Sequence, residues 1–151
     1  MFNVVLVEPE IPPNTGNIGR LCLATQSTLH LVKPLGFSLE DRQLKRAGLD
    51  YWDEVNVHTW NSFQDLQSRQ TADARYFFLT TKLGQIYYEA KFWPGDFLVF
   101  GRETKGLPEI LLGANTDNCI TIPMHETRSL NLATAVAIVL FEAVRQQARS
   151  D

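Results

Sequence analysis

The sequence predicts an α/β domain: a mostly parallel sheet flanked by helices. Three observations carry that expectation. Short apolar runs bounded by turn residues recur along the whole chain. Helically patterned segments lie between them, and strands alternating with helices imply parallel pairing through crossovers. Three segments also lead from strands into glycine- or proline-marked loops: Pro12 to Arg20, Val99 to Pro108, and Ile122 to Met124 with Ser129 to Ala133. Loops at the carboxyl ends of strands are where open α/β sheets bind ligands, so much of this small chain is expected to build one site.

Phe2 to Val7 reads as the first strand. Residues Met1 to Glu8 lack a basic lead and turn acidic after the apolar run, which is a buried strand and not a secretory signal. A helix is expected over Asn17 to Ser27, with Ile18, Leu21, Cys22 and Thr25 on one face and Arg20 off it. Further strands are expected at Leu29 to Val32, Val55 to His58, Tyr76 to Leu79, Phe97 to Phe100 and Cys119 to Ile122. Asn61 and Ser62 offer caps for a helix through Phe63, Leu66 and Gln67. Leu107 to Leu112 reads as a short helix with Pro108 in its first turn and Gly113 beyond its end.

The last helix is expected from about Ser129 to Arg149. Leu130, Ala133, Ala137, Leu140 and Val144 form one stripe, while Leu132, Val136, Ile138, Val139 and Phe141 fill other faces. A helix apolar nearly all round is buried on more than one side. In so small a domain the second side points to another subunit, hence a homodimer.

At 151 residues the chain suits one domain, with neither internal repeat nor linker. The longest apolar stretch, Leu132 to Phe141, is broken by Thr134 and is shorter than the ~20 residues a bilayer requires, so no membrane partner is expected. Cys22 and Cys119 lie far apart in apolar contexts, which suits buried thiols, a cytoplasmic location and no metal site. A net charge of −3 disfavours gripping nucleic acid by charge alone, so an RNA role needs a local basic patch. The loop Glu8 to Pro13 lacks dinucleotide-site glycines, no P-loop is present, and His30, His58 and His125 form no obvious cluster.

In order and spacing, Asn14-Thr-Gly-Asn-Ile-Gly-Arg20, Phe100-Gly-Arg-Glu-Thr-Lys-Gly-Leu-Pro108 and Ile122-Pro-Met124 with Ser129-Leu-Asn-Leu-Ala133 resemble the three motifs of the SpoU branch of the SPOUT methyltransferases. Val5 to Asn17, Pro34 to Phe37, Leu44 to Tyr51 and Leu79 to Lys82 narrow the resemblance to the small TrmL (YibK-type) tRNA 2′-O-methyltransferases. It covers almost the whole chain.

The resemblance implies a SPOUT fold with a deep C-terminal trefoil knot. It also implies S-adenosylmethionine-dependent methylation of the wobble ribose, C or modified U, of a tRNA such as a leucine tRNA. Another tRNA or rRNA ribose is the nearest alternative, and a non-catalytic RNA-binding or assembly factor is an alternative of another class. The cofactor pocket maps to Leu79, Thr80, Gly101, Ile122, Met124, Ser129 and Leu130. Gly101 would admit close backbone approach, and Ser129 has a second reading as the N-cap of the last helix.

Arg20 is implied as the catalytic residue, reaching into the partner's site. A guanidinium stays protonated above pH ~12, which suits stabilising an alkoxide or holding a phosphate better than acting as a base. Asn14 and Glu103, with Asn131, are expected to orient loops or Arg20. Arg42, Lys45 and Arg46 lie at helical spacing and could track phosphates with Arg20, Arg102 and Lys105. Arg128 fits either the RNA site or an intersubunit ion pair. Phe141 stands where close relatives often have tyrosine.

Overall fold

A computed structural model of the chain describes residues 1–148. Among them are strands β1 (Asn3–Val7), β2 (Thr28–Val32), β3 (Val57–Trp60), β4 (Tyr76–Leu79), β5 (Gln85–Ile86), β6 (Phe97–Phe100) and β7 (Cys119–Thr121). They form one seven-stranded sheet in the order β3-β2-β1-β6-β4-β7-β5. Every pairing between them is parallel. The helices are α1 (Pro12–Ala24), α2 (Arg42–Ala47), α3 (Phe63–Ser68), α4 (Glu109–Gly113) and α5 (Leu132–Ala148).

The pleat sorts each strand's side chains onto two cores. On one face Val4, Leu6, Leu29, Leu31, Leu98 and Phe100 meet Ile18 and Cys22 of α1 and Val136, Val139 and Leu140 of α5. On the other, Val5, Val7, Val32, Phe78 and Val99 meet Leu66 of α3 and Leu107. Burial on both faces explains why the central strands read as continuous apolar runs. Both cysteines are buried and free, as expected, and burial pushes the Cys22 thiol up to about 12.

Several elements differ from the sequence reading. The first motif is not a loop: α1 begins at Pro12, because proline is tolerated in a first helical turn where its missing N–H is not needed. This leaves only a short loop after β1, and α1 ends at Ala24 instead of Ser27. The third strand runs from Val57 to Trp60, two residues beyond the expected start, because Leu49–Glu54 coils into a 3-10 helix and Val55 is its buried C-cap. Strand β5 was not expected; two residues with one exposed carry no periodicity. Ser62 does cap α3, its hydroxyl accepting from Asp65 N at 3.0 Å.

The last helix starts at Leu132, and the expected end at Arg149 lies outside the described residues. Its capping side chain is Asn131, whose Oδ1 accepts from Thr134 N at 3.2 Å, so Ser129 is not the N-cap. Leu132, Ala135, Val136, Val139, Leu140 and Ala143 face the chain's own core. Ala133, Ala137, Ile138 and Val144 are half-buried and Phe141 is exposed. The helix therefore does carry more apolar surface than its own domain covers. No helix among the described residues is long and apolar enough to cross a membrane.

Candidate active site

Because the sheet is parallel, the carboxyl ends of β1, β6, β4 and β7 arrive at one edge, side by side. A cavity of about 310 Å³ opens there. Leu79 at the end of β4 with Thr80 just after it, Gly101 just after β6, and Ile122, Met124, Ser129 and Leu130 after β7 all line it. Every residue expected to hold a cofactor is thus brought to one place. Leu107, Leu132 and Ala135, none of them among the expected cofactor residues, complete its apolar wall. Lys82 and Glu109, also lining the cavity, pair with each other across the β4 and α4 loops.

Gly101 lines the cavity and also admits the close approach of its own loop. A Cβ there would lie 2.1 Å from the carbonyl carbon of Gly106 and 2.2 Å from Leu107 N. The close approach it permits is that of its own loop. Arg102 and Gly106 exchange two backbone hydrogen bonds, at 3.3 and 2.8 Å, which fold residues 102–106 back on the strand end. Gly106 closes the turn at φ +69°, a conformation that glycine adopts freely.

That loop is clasped to the loop after β1. Glu103 Oε1 accepts from Glu10 N at 2.8 Å, and its Oε2 accepts from Ile11 N at 2.9 Å and Asn14 Nδ2 at 3.2 Å. In return Glu10 Oε1 accepts from the backbone N and the hydroxyl of Thr104, at 3.1 and 2.8 Å. These bonds hold the Glu10 carboxyl below its usual range, with Arg102 and Lys105 nearby adding to the effect. Arg102 also pairs with Glu8 at 3.2 Å. Asn131 Nδ2 donates to Asn14 Oδ1 at 3.0 Å, which carries the network to the start of α5. Glu103, Asn14 and Asn131 therefore tie these loops to one another. Glu8 and Glu10 were missed; their one signal was the alternation Glu8-Pro-Glu10, which reads equally as a solvated turn.

Arg20 does not line the cavity. It is exposed on α1 and lines a separate groove with Asn17, Leu21, Tyr51, Asn131 and Thr134. Asn131 belongs to the groove while its partner's partner, Glu103, belongs to the cavity, so the network spans both. Of the expected phosphate-tracking residues, Arg42 and Arg46 are exposed on α2, whose N-terminus is capped by Asp41. Lys45 instead pairs with Glu40 at 2.8 Å, and Arg102 is engaged by Glu8, so neither presents an unneutralised charge. Arg128 and Lys105 stand exposed at the cavity's edge.

Residues 1–141 match the SpoU rRNA Methylase family. The chain belongs to the SpoU methylase family. A tRNA (cytidine(34)-2'-O)-methyltransferase of Saccharophagus degradans is 50% identical across 97% of this chain and 96% of its own. One from Burkholderia ambifaria is 48% identical, over 97% and 96% respectively. A solved structure described as giving insight into 2-OH methylation of C/U34 on tRNA superposes with a TM-score of 0.94, at 44% identity over 99% of this chain and 97% of that one. An AdoMet-bound rRNA methyltransferase of Sinorhizobium meliloti shares the fold at a TM-score of 0.84 and 24% identity, over 95% of this chain and 56% of that one. For this SpoU methylase the parallel seven-stranded sheet flanked by helices is thus the family's architecture.

Proposed function

We propose that this chain is an S-adenosylmethionine-dependent tRNA 2′-O-methyltransferase that modifies the ribose of the anticodon wobble nucleotide, working as a cytoplasmic homodimer. The observation that carries the reading is the single cavity that gathers Leu79, Thr80, Gly101, Ile122, Met124, Ser129 and Leu130, in a chain half identical to named wobble methyltransferases over nearly all of its length. The trefoil knot that the resemblance implies goes with the same reading.

The cavity suits that cofactor. Its volume of about 310 Å³ falls in the range of small-molecule sites, and Leu79, Leu107, Ile122 and Leu132 offer apolar walls for a purine. Lys105 and Arg128 at the edge offer cations for a carboxylate. Arg102 and Lys82 are ion-paired with Glu8 and Glu109, and the Glu103 carboxylate is held by three N–H donors. When bound, the cofactor supplies an electrophilic methyl group.

The chain's own residues must then manage the ribose hydroxyl. An apolar, water-poor cavity favours a reaction in which charge is cancelled on the way to products. The hydroxyl's proton needs an acceptor, and a guanidinium is a poor one. Arg20 instead holds the adjacent phosphate, which takes the proton, and stabilises the oxygen as its charge develops. Since Arg20 sits in a separate groove, it serves the cavity of a twofold-related partner. The outer apolar face of α5, with Ala137, Phe141 and the parts of Ala133 and Ile138 that the chain's own core leaves uncovered, supplies the interface.

Incubation with methyl-labelled cofactor and total tRNA, followed by mapping of the modified nucleotide, tests the reading. A 2′-O-methyl group at the wobble nucleotide is expected. Label at another ribose would reassign the substrate, and cofactor binding with no transfer to any RNA would leave only a binding role.

A further inference from the structure

Large aromatic rings exposed to solvent on an RNA-modifying enzyme are candidates for stacking on bases, since single-stranded loops are read mainly through unstacked bases. Tyr51, Tyr88, Trp93 and Phe141 are exposed at 48%, 53%, 60% and 44%. Three of them have other employment. Trp93 lies under the Arg75 guanidinium, 4.2 Å from the ring centre. Tyr88 packs against the edge of Tyr87, with ring centres 5.2 Å apart. Phe141 belongs to the apolar outer face of α5.

Tyr51 differs from all of these. Among the described residues its ring stacks on no other ring and its hydroxyl has no hydrogen-bond partner. It lines the groove that contains Arg20, at the border of the face of α5 proposed above as the dimer interface, whose Ala133 and Ala137 also line that groove. The backbone beneath it is fixed: Tyr51 N donates to Gly48 O at 3.1 Å, and the next residue, Trp52, is buried against α1. A Cβ on Gly19 of α1 would come within 2.7 Å of the Trp52 ring, so helix and aromatic are in close contact. A tyrosine on such a base presents a broad flat face at low entropic cost. Its segment directly follows α2, which exposes Arg42 and Arg46.

We propose that Tyr51 is a nucleobase-stacking residue of the substrate site, holding a base of the anticodon loop while Arg20 engages the neighbouring ribose and phosphate. Arg20 in the same groove, and the exposed Arg42 and Arg46 on the helix that precedes Tyr51, supply the cations for the flanking phosphates. The proposal rests on the function given above. It does not depend on which subunit's cavity Arg20 serves, because Tyr51 shares the arginine's groove and goes with it.

The test uses a tRNA anticodon stem-loop carrying 2-aminopurine beside the wobble nucleotide. With the unaltered protein, binding should quench the 2-aminopurine by stacking; no quenching in a saturated complex would overturn the proposal without any variant. Tyr51→Ala should weaken stem-loop binding about tenfold, within the range that loss of one stacked base gives. Its cofactor affinity and the salt slope of RNA binding should not change, because no phosphate contact is lost. Tyr51→Phe and Tyr51→Trp should restore binding. Unaltered affinity in Tyr51→Ala, or a Tyr51→Phe variant as weak as Tyr51→Ala, would refute stacking. If the unaltered enzyme binds the stem-loop and quenches the probe but transfers no methyl group to it, the functional reading fails while the stacking result stands.

Discussion

Asn14 and Asn131, 117 positions apart, are joined by a hydrogen bond of 3.0 Å from Asn131 Nδ2 to Asn14 Oδ1. Asn14 in turn donates to Glu103 at 3.2 Å. The three side chains belong to three different motifs, and together they fix the cavity loop, α1 and the start of α5 relative to one another. Arg20 rides on α1, so its position is set by the same bonds that shape the cavity.

Glu103→Ala removes the acceptor of three donors, Glu10 N, Ile11 N and Asn14 Nδ2. A stranded buried donor costs about 1 to 3 kcal/mol, and these partly exposed ones cost toward the low end. Thermal unfolding should shift down by several degrees, and calorimetry should show cofactor affinity reduced at least about tenfold. A variant with unchanged melting and unchanged affinity would show the clasp to be idle.

Gly101→Ala and Gly106→Ala should behave differently. At Gly101 the new methyl would overlap backbone at 2.1 Å, so the loop of residues 102–106 must open. Gly106 has nothing within 4 Å of the added Cβ, and its φ of +69° costs a non-glycine residue only roughly 1 to 2 kcal/mol. Gly101→Ala should lose cofactor binding and melt at lower temperature; Gly106→Ala should still bind. Equal behaviour of the two in calorimetry and thermal melts would contradict the backbone-contact account.

His30 makes stability depend on pH. Its Nδ1 accepts from Trp60 Nε1 at 3.1 Å, so the ring's proton sits on Nε2 and is donated to Asn3 Oδ1 at 2.8 Å. Burial, with a smaller effect from His58, lowers its pKa from 6.5 to about 4. The unfolded chain therefore takes up a proton before the folded one does, and stability falls as pH drops from 6.5 towards 4. The full loss from this group is of the order of 3 kcal/mol, at about 1.36 kcal/mol for each tenfold difference in proton affinity between the two states. Urea midpoints measured between pH 7.5 and pH 4.5 should show that decline, and His30→Gln should flatten it. An equal decline in the variant would assign it to other groups.

Much of this was legible in the sequence because apolar runs and turn residues reflect burial directly. Strands β1, β2, β4, β6 and β7 lie where their apolar runs indicate, and the ordered motifs located the cavity residues. What stayed hidden depended on contacts distant in sequence. Pro12 and Pro13 read as a loop, although a first helical turn accepts proline equally well. Val55 read as strand because its burial under α1 looks the same in one dimension as burial in a sheet. The role of Gly101 required knowing that residues 106 and 107 return to it. The link from Glu8 and Glu10 to the 102–104 loop joins positions 94 apart, and no local pattern records it.

The central claim is that the cavity and the Arg20 groove, separate in one chain, form one working site across a twofold pair. The most direct measurement is methyl transfer to tRNA by mixed subunits. Arg20→Ala should retain cofactor affinity and lose transfer; Ser129→Trp, at an exposed lining position, should fill the cavity and lose cofactor binding. Each homodimer should be inactive. After subunit exchange at equal amounts, half of the dimers are mixed and each mixed dimer has one complete site, so activity should recover to about a quarter of the unaltered enzyme's. No recovery despite demonstrated exchange, or full activity of Arg20→Ala alone, would contradict the claim.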